Sequence, residues 1–244
     1  MLFLLRQVRR KLMNENKFTT YLLYAVGEII LVVLGILIAV QIDDWNEGRK
    51  QLDEERATIQ DLQKEFEKNL TTLQLELDRI SEVVSSCDFL LAHTGPNYRE
   101  GSLNNFDSLL ASTVTIAVWD PSNYTLNDIK NTGKLSKLSN EKLKALLIEW
   151  DAFYANLEAW GKFYENRGDK FFDYLIENSI NRNMIKGYGI MTEKSKFSGT
   201  NETLMRKLSF ENQLTDKVTV SKFVQQFYLQ ASDKLSDIIA ECEN

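Results

Sequence analysis

Glu28 is the residue whose chemistry stands out first, because it is the one charged side chain in an apolar run from Tyr21 to Ile42. A charge near the centre of a bilayer costs at least about 2.5–3.5 kcal/mol on insertion scales. A carboxyl group in that position is expected to contact a neighbouring helix, protonated or hydrogen-bonded, or to take part in moving protons. Glu28 is therefore the first candidate for a functional side chain.

Two small residues share the helical face of Glu28. Gly35 follows it by seven residues and Ala39 by a further four, so all three lie on roughly one side of a helix. The pair Gly35-x-x-x-Ala39 lets two membrane helices approach closely. We expect a helix–helix contact here, either with another copy of the chain or with a multi-span partner. The alternative is that Glu28 snorkels to the water of the headgroup region.

The two cysteines, Cys87 and Cys242, are the second pair of candidate residues. If the last helix returns antiparallel along the first, these residues could meet and form a disulfide, which an extracytoplasmic location would permit. The alternative is that both are small buried hydrophobic residues.

No other grouping of residues indicates catalysis. The single histidine, His93, lies beside a predicted turn, and no His/Cys/Asp set has the spacing of a metal site. The chain lacks a nucleophile elbow, a phosphate-binding loop and a basic patch suited to nucleic acid. We therefore expect no enzyme activity, no cofactor, no metal site and no nucleic-acid partner.

The apolar run that carries Glu28 is predicted to be a transmembrane helix over residues 21–42. Twenty-two residues at about 1.5 Å each make a helix of about 33 Å, enough to cross a bilayer core of about 30 Å. The run is too long for the core of a signal peptide, and no small-x-small cleavage site follows it. We therefore expect an uncleaved anchor in contact with the lipid bilayer.

The charges on either side of the span predict its orientation. The first 20 residues carry five Lys or Arg and one acidic residue, whereas the part from Asp43 onward has a net charge of −9. Short basic flanks stay in the cytoplasm. Residues 1–20 are predicted to be a cytoplasmic basic amphipathic segment or a simple basic flank, and residues 43–244 an extracytoplasmic domain. In a bacterium these correspond to the inner membrane and the periplasm.

The domain outside the membrane is predicted to be all-α, because the chain has only two prolines and few glycines. A first helix of about residues 43–93, continuous with the span or bent at Gly48, carries a heptad-like seam with one stutter near Phe66. This seam could pair with a second copy as a coiled coil, but it favours a bundle. Its apolar residues are Ile59, Leu62, Phe66, Leu70, Leu73, Leu77, Ile80, Val84, Cys87 and Leu91.

Further helices are predicted around residues 106–118 and 124–131, from the capping sequence Ser139-Asn140-Glu141 onward, and over about 218–242. Ser122 or Asn123 is the expected cap of the second, and residues 181–200 are the predicted long connection. The helix after Asn140 has an aromatic stripe that includes Trp150, Trp160 and Phe163. Such a stripe indicates core packing rather than a ligand pocket, so a small-molecule ligand is not expected.

Two stretches of the chain resemble a known family. Residues 15–47, ENKFTTYLLYAVGEIILVVLGILIAVQIDDWNE, resemble the N-terminal signature of an uncharacterised family of single-pass membrane proteins common in Bacteroidota. Residues 127–154, NDIKNTGKLSKLSNEKLKALLIEWDAFY, resemble the second block of that family, a helix pair joined at a glycine. The resemblance implies an inner-membrane anchor with a periplasmic helical domain, and it implies no known activity.

The layout predicts a membrane-anchored periplasmic scaffold or interaction module that oligomerises or binds a membrane-protein partner. One alternative is an accessory subunit of an ion-driven inner-membrane machine that uses Glu28. Stator proteins of motility and energy-transducing complexes have a similar arrangement of a short start, one span with a carboxylate and a large periplasmic part. A second alternative, a periplasmic ligand-sensing bundle, is weakened by the lack of a cytoplasmic output domain.

Overall fold

The computed structural model describes residues 18–186 and 193–243, and these ranges contain helices and no strand. The predicted all-α fold is confirmed. The helices are α1 (Phe18–Leu91), α2 (Phe106–Thr113), α3 (Tyr124–Asn131), α4 (Lys134–Lys137), α5 (Glu141–Asn178), α6 (Asn181–Lys186), a 3₁₀ helix (Asn201–Arg206) and α7 (Leu208–Cys242).

The chain divides into two compact units, Met1–Ala57 and Thr58–Asn244. Helix α1 begins in the first unit and ends in the second, and it continues through Gly48 without interruption. The predicted helix over 43–93 is therefore part of one 74-residue helix that also contains the apolar run. Of the predicted amphipathic segment 1–20, residues 1–17 lie outside the described part of the chain.

The second unit is a bundle of three long helices with two clusters of buried residues. The first cluster is formed by residues 62–80 of α1, 143–164 of α5 and 220–238 of α7. The second is formed by residues 83–90 of α1, 171–175 of α5 and 210–218 of α7. The order of the two clusters along each helix shows that α1 and α5 run parallel and that α7 runs antiparallel to both.

Two parallel helices need a connection that returns along the bundle. Helix α2 contributes to the second cluster, and α3 contributes to the first. Residues 115–123, which we call the strap, join these two helices without helix or strand. The helix predicted over 106–118 is therefore too long, since α2 ends at Thr113. Helix α3 has the predicted bounds, and Gly133 beyond its end has a φ of 72°, a left-handed conformation that favours glycine.

The predicted seam of α1 lies on the buried side of the bundle, with a shift near its end. Leu62, Phe66, Leu73, Leu77, Ile80 and Cys87 are buried as expected. In the last two turns, however, Val83 and Leu90 are buried, whereas Val84 and Leu91 are only partly covered. A helix has 3.6 residues per turn, so a seam that repeats every 3.5 residues drifts around it by about 20° per heptad.

The two other long helices begin differently from each other. Helix α5 starts where the sequence predicted, because the Asn140 side chain accepts a hydrogen bond from the backbone N–H of Leu143 at 3.0 Å. Helix α7 starts at Leu208, ten residues earlier than the predicted Val218. The polar run Thr215-Asp216-Lys217 hides the start in the sequence, although Phe210 and Leu214 ahead of it are fully buried.

Candidate functional site

The first unit contains the apolar run, and α1 is long and apolar enough there to cross a membrane. Its large apolar side chains from Leu22 to Ile42 are exposed, with Leu31 74% accessible and Leu23 73%. The most apolar 18-residue window of this helix is entirely unburied.

Glu28, Gly35 and Ala39 all lie on this exposed part of α1. Their spacing within one continuous helix places them on roughly one side, as the sequence predicted. A Cβ atom added at Gly35 would meet nothing within 4 Å, so the backbone at this position is open to a close neighbour. Within the described residues, Glu28 forms no hydrogen bond or ion pair, so its contact partner stays a prediction.

In the second unit, polar side chains of α1 bind one end of the strap. Asn69 accepts a hydrogen bond from the backbone N–H of Ser122 at 2.9 Å and donates one to its carbonyl oxygen at 2.7 Å. The Glu65 carboxylate accepts from the Ser122 hydroxyl at 2.5 Å and from the backbone N–H of Thr125 at 2.7 Å. Glu65 therefore caps α3 from another helix. Of the two predicted caps, Ser122 accepts a hydrogen bond from the backbone N–H of Tyr124 at 3.4 Å, whereas Asn123 makes no capping hydrogen bond with its own side chain.

Side chains of α7 bind the middle of the strap. The Tyr228 hydroxyl accepts a hydrogen bond from the backbone N–H of Trp119 at 2.9 Å and donates to the carbonyl of Ala117 at 3.0 Å. Lys217 donates to the carbonyl of Thr115 at 3.2 Å. A segment outside any helix or strand has no regular backbone hydrogen bonds, so these side chains provide partners for its backbone groups.

Lys217 is the most unusual side chain of the bundle, since it is 1% exposed. Its ammonium group lies 4.7 Å from the centre of the Tyr164 ring, within the range of a cation–π interaction. Gly168 makes room for this arrangement, because a Cβ atom there would lie 2.9 Å from the Ile116 side chain and 3.6 Å from the Lys217 nitrogen. Burial lowers the pKa of Lys217 to about 8.

Tyr164 and Cys87 complete the surroundings of Lys217. Burial raises the pKa of both groups, for Cys87 to about 12, so both are neutral near pH 7. The Tyr164 hydroxyl is buried and completes no hydrogen bond of normal geometry with the described residues, although Ser221 and the backbone of Ala117 lie near it. This is a packed polar site around a buried ammonium group.

The structure contradicts the predicted disulfide, because Cys87 and Cys242 are free thiols at different ends of the bundle. Helix α7 does return antiparallel, but in a register that puts Glu243 beside Gln63 at 3.5 Å. From residue 63 to residue 87, α1 rises about 36 Å, whereas a disulfide needs Cα atoms within about 7 Å. Cys87 belongs to the second core cluster, and Cys242 packs against the first.

The aromatic stripe of α5 divides into a buried and an exposed part. Trp150 is fully buried and packs edge-on against Phe66 and Trp119, at 5.7 and 6.2 Å between ring centroids. Phe163 was expected to face inward but is 42% exposed, and Phe223 of α7 is 49% exposed. The stripe is wider than the contact between the helices, so its edge residues reach solvent.

Around the second cluster, Asn201 and Glu202 of the 3₁₀ helix form hydrogen bonds with residues that are distant in the sequence. Asn201 donates to the Asp107 carboxylate at 2.7 Å and binds both backbone groups of Ile180. The Glu202 carboxylate accepts from the Tyr98 hydroxyl at 2.5 Å and from the backbone N–H of Gly101 at 2.6 Å. These bonds stabilise the connections that the bundle topology requires.

Sequence reasoning missed the residues that hold the strap. Tyr228 was expected on the apolar face of the last helix, although its hydrogen bonds were not. Lys217 had a detectable signal, since it lies between Leu214 and Ser221 at helical spacing on the apolar face of α7. Glu65 and Asn69 look like ordinary solvated positions, because their partners are about 55 residues away in the sequence.

Within residues 18–186 and 193–243, no group of three His, Cys, Asp or Glu side chains is arranged to hold a metal ion. His93 is exposed, and its Nδ1 lies 2.7 Å from the Phe89 carbonyl oxygen.

No curated protein and no solved structure shows significant similarity to this chain. Residues 28–171 match a family of unknown function (DUF6090), from Glu28 in the apolar run to Phe171 in α5. This match covers more than half of the chain and includes the strap and both α1 residues that bind it. The resemblance to an uncharacterised family is thereby confirmed, and the chain belongs to the family of unknown function DUF6090.

Proposed function

We propose that this protein is a membrane-anchored helical scaffold or interaction module, which oligomerises or binds a membrane-protein partner through its apolar helix. The observation that supports this most is the exposure of the apolar run, from Leu22 to Ile42, in a chain that buries its other long apolar seam. A surface of that size is stable when lipid or another protein covers it.

The charge distribution supports one orientation. The basic residues before the span favour a cytoplasmic N-terminus in the bacterial inner membrane, with the acidic bundle in the periplasm. The bundle would then offer its surfaces to periplasmic partners, and partner binding there would not require catalytic residues.

A second candidate function is an accessory subunit of an ion-driven inner-membrane machine. The specific observation that favours it is Glu28, an exposed carboxyl group in the apolar run with no partner in the described residues. An intramembrane carboxyl group is expected to face a neighbouring helix or an aqueous path. In this case a multi-span partner would supply that path.

Reporter fusions after Asn244 test the orientation. Alkaline phosphatase, which is active only in the periplasm, should be active in this fusion, and a fluorescent protein that requires the cytoplasm should be dark. The opposite pair of results would overturn the periplasmic location. Purification in mild detergent with identification of partners then distinguishes self-association from binding to a multi-span protein.

Two substitutions distinguish the scaffold from the ion-driven subunit. Gly35→Leu blocks close helix approach and should dissociate the assembly, whereas Val33→Leu, on the opposite side of α1, is the control. Glu28→Gln preserves the shape and hydrogen-bonding capacity of the side chain but removes its charge. A scaffold should tolerate Glu28→Gln, and a proton-moving subunit should stay assembled but lose activity. If neither Gly35→Leu nor Glu28→Gln changes assembly or phenotype, the contact does not exist.

A further inference from the structure

Large apolar residues recur along α1 at a strict seven-residue spacing that extends beyond the bundle. Between residues 43 and 58, a stretch rich in charges, Trp45 and Leu52 are the only large apolar residues, and both lie in this register. The full set is Tyr24, Leu31, Ile38, Trp45, Leu52, Ile59, Phe66, Leu73, Ile80 and Cys87.

The residues of this seven-residue repeat are buried in one part of the helix and exposed in the other. Phe66 and Leu73 are 1% and 0% exposed in the core of the second unit. Trp45 and Leu52, in the first unit, are 65% and 50% exposed. A seven-residue repeat winds around a straight helix by about 20° per heptad, so it stays in contact only with a helix that supercoils with it.

We propose that Ile38, Trp45 and Leu52 form the contact through which two copies of this chain pair as a parallel, in-register coiled coil. This inference deepens the proposed function and rests on it, because insertion of both copies into one membrane in one orientation enforces the parallel arrangement. Membrane anchorage also raises the effective concentration of the two helices, which favours a short contact.

The charges around the stripe fit a second copy of the same sequence. With Leu52 at a d position, Arg49 and Arg56 occupy a positions, and Gly48 and Glu55 occupy the g positions before them. In a parallel dimer each a residue lies beside the preceding g residue of the other helix, so Arg56 meets Glu55 of the other copy. Within one chain Arg56 pairs with Asp53 at 3.6 Å, but both side chains are more than two-thirds exposed, so this pair contributes little.

Arg49 is accommodated by its neighbours in the repeat. Its guanidinium lies 5.2 Å from the centre of the Trp45 ring, so the charged group packs over the d residue of the same helix. Gly48, at the g position beside it, has no side chain that would crowd this group, and a Cβ atom there would meet nothing within 4 Å. Two arginines at a positions still repel each other across the dimer, so replacing one by an apolar residue should strengthen the pairing.

The repeat also includes the membrane residues singled out in the sequence. Glu28 and Gly35 lie seven residues apart at a positions, and Leu31 and Ile38 are the d residues between and after them. The contact predicted in the membrane and the stripe beyond it therefore lie in one register. A single paired helix accounts for both.

Disulfide cross-linking of the full chain in native membranes tests the proposal. Single cysteines are placed in a Cys242→Ser background, in which the fully buried Cys87 is retained. Leu52→Cys, at a d position, should form a cross-linked dimer on mild oxidation. Glu54→Cys, two residues away on the outer side of the repeat, should stay monomeric, because a disulfide needs Cα atoms within about 7 Å. Adding Arg49→Ile to Leu52→Cys should increase the yield of dimer.

Three results would overturn the pairing. These are equal cross-linking at positions 52 and 54, no cross-linking of Leu52→Cys in a membrane-bound protein, and a loss of cross-linking with Arg49→Ile. Carbonate extraction of the same membranes separates this failure from failure of the proposed function. A membrane-bound chain that does not cross-link rejects only the dimer, whereas a chain released by carbonate is not anchored and rejects both.

Discussion

The two parts of helix α1 differ in what surrounds them, although they belong to one unbroken helix. From Leu62 to Leu90 its apolar side is the core of a three-helix bundle, and from Leu22 to Leu52 its large apolar side chains are exposed. The difference teaches that an apolar pattern identifies a surface to be covered but does not specify what covers it. In the bundle, α5, α7 and the strap do so, whereas the large apolar side chains of the first unit stay exposed.

Truncating one apolar residue in each part should give the largest contrast. Phe66→Ala removes a fully packed ring and should lower the free energy of unfolding of the bundle by about 3–5 kcal/mol. Leu52→Ala should leave it unchanged within about 0.5 kcal/mol, since Leu52 is 50% exposed and belongs to the first unit. Urea unfolding followed by fluorescence of the buried Trp119 and Trp150 measures both. Equal effects of the two substitutions would contradict the division of α1 described above.

The buried Lys217 should make the free energy of unfolding of the bundle depend on pH. Its pKa is about 8 in the folded protein against an ordinary value of 10.5, so the unfolded state binds more protons between these values. The free energy of unfolding should therefore rise by about 3 kcal/mol as the pH increases from 8 to 10.5. Below pH 8 both states are protonated, and the cost of burying the charge is fully present.

Lys217→Met isolates this effect from other groups. The pKa of Cys87 is raised from 9.0 to about 12, so its contribution to stability falls as the pH rises above 9 and opposes that of Lys217. The measurement is the difference in unfolding free energy between the natural chain and Lys217→Met from pH 7 to pH 10.5. The natural chain should become more stable relative to Lys217→Met as the pH rises. A constant difference would contradict a lowered lysine pKa.

Of the elements that pack against the apolar side of α1 in the bundle, the strap depends most on side-chain hydrogen bonds. Tyr228→Phe removes the partner of the Trp119 N–H and the Ala117 carbonyl and should destabilise the bundle by about 2–4 kcal/mol. Tyr124→Phe removes a hydroxyl group from a side chain that is 81% exposed and is the matched control. Thermal unfolding of the two variants gives the comparison. If both behave alike, the strap backbone is satisfied in another way.

The cysteines should give the smallest effect, because no bond joins them. Mobility in non-reducing electrophoresis should be the same before and after reduction. Alkylation of the native protein should modify the partly exposed Cys242 and spare the buried Cys87. A faster-moving monomer that slows on reduction would restore the intrachain disulfide.

Local patterns in the sequence were sufficient for the helices themselves. The apolar run, the seam from Ile59 to Leu91, helix α3 and the Asn140 cap all depend on residues within a few turns of one another. Their chemistry therefore appears in the sequence at short spacing. The start of α7 was missed because it lacks such a local pattern. Its polar run Thr215-Asp216-Lys217 resembles a loop in the sequence, and the burial of Lys217 is visible only in the structure.

Relations between distant residues were decided only by the tertiary structure. The parallel arrangement of α1 and α5 requires a returning connection, and the strap, which follows the end of α2 at Thr113, is part of it. The register of α7 against α1, which keeps Cys242 away from Cys87, follows from how the side chains of three helices pack. The sequence by itself therefore determined which surfaces are apolar and helical. Which of them meet was decided by packing and by backbone groups that needed partners, such as those bound by Glu65, Asn69 and Tyr228.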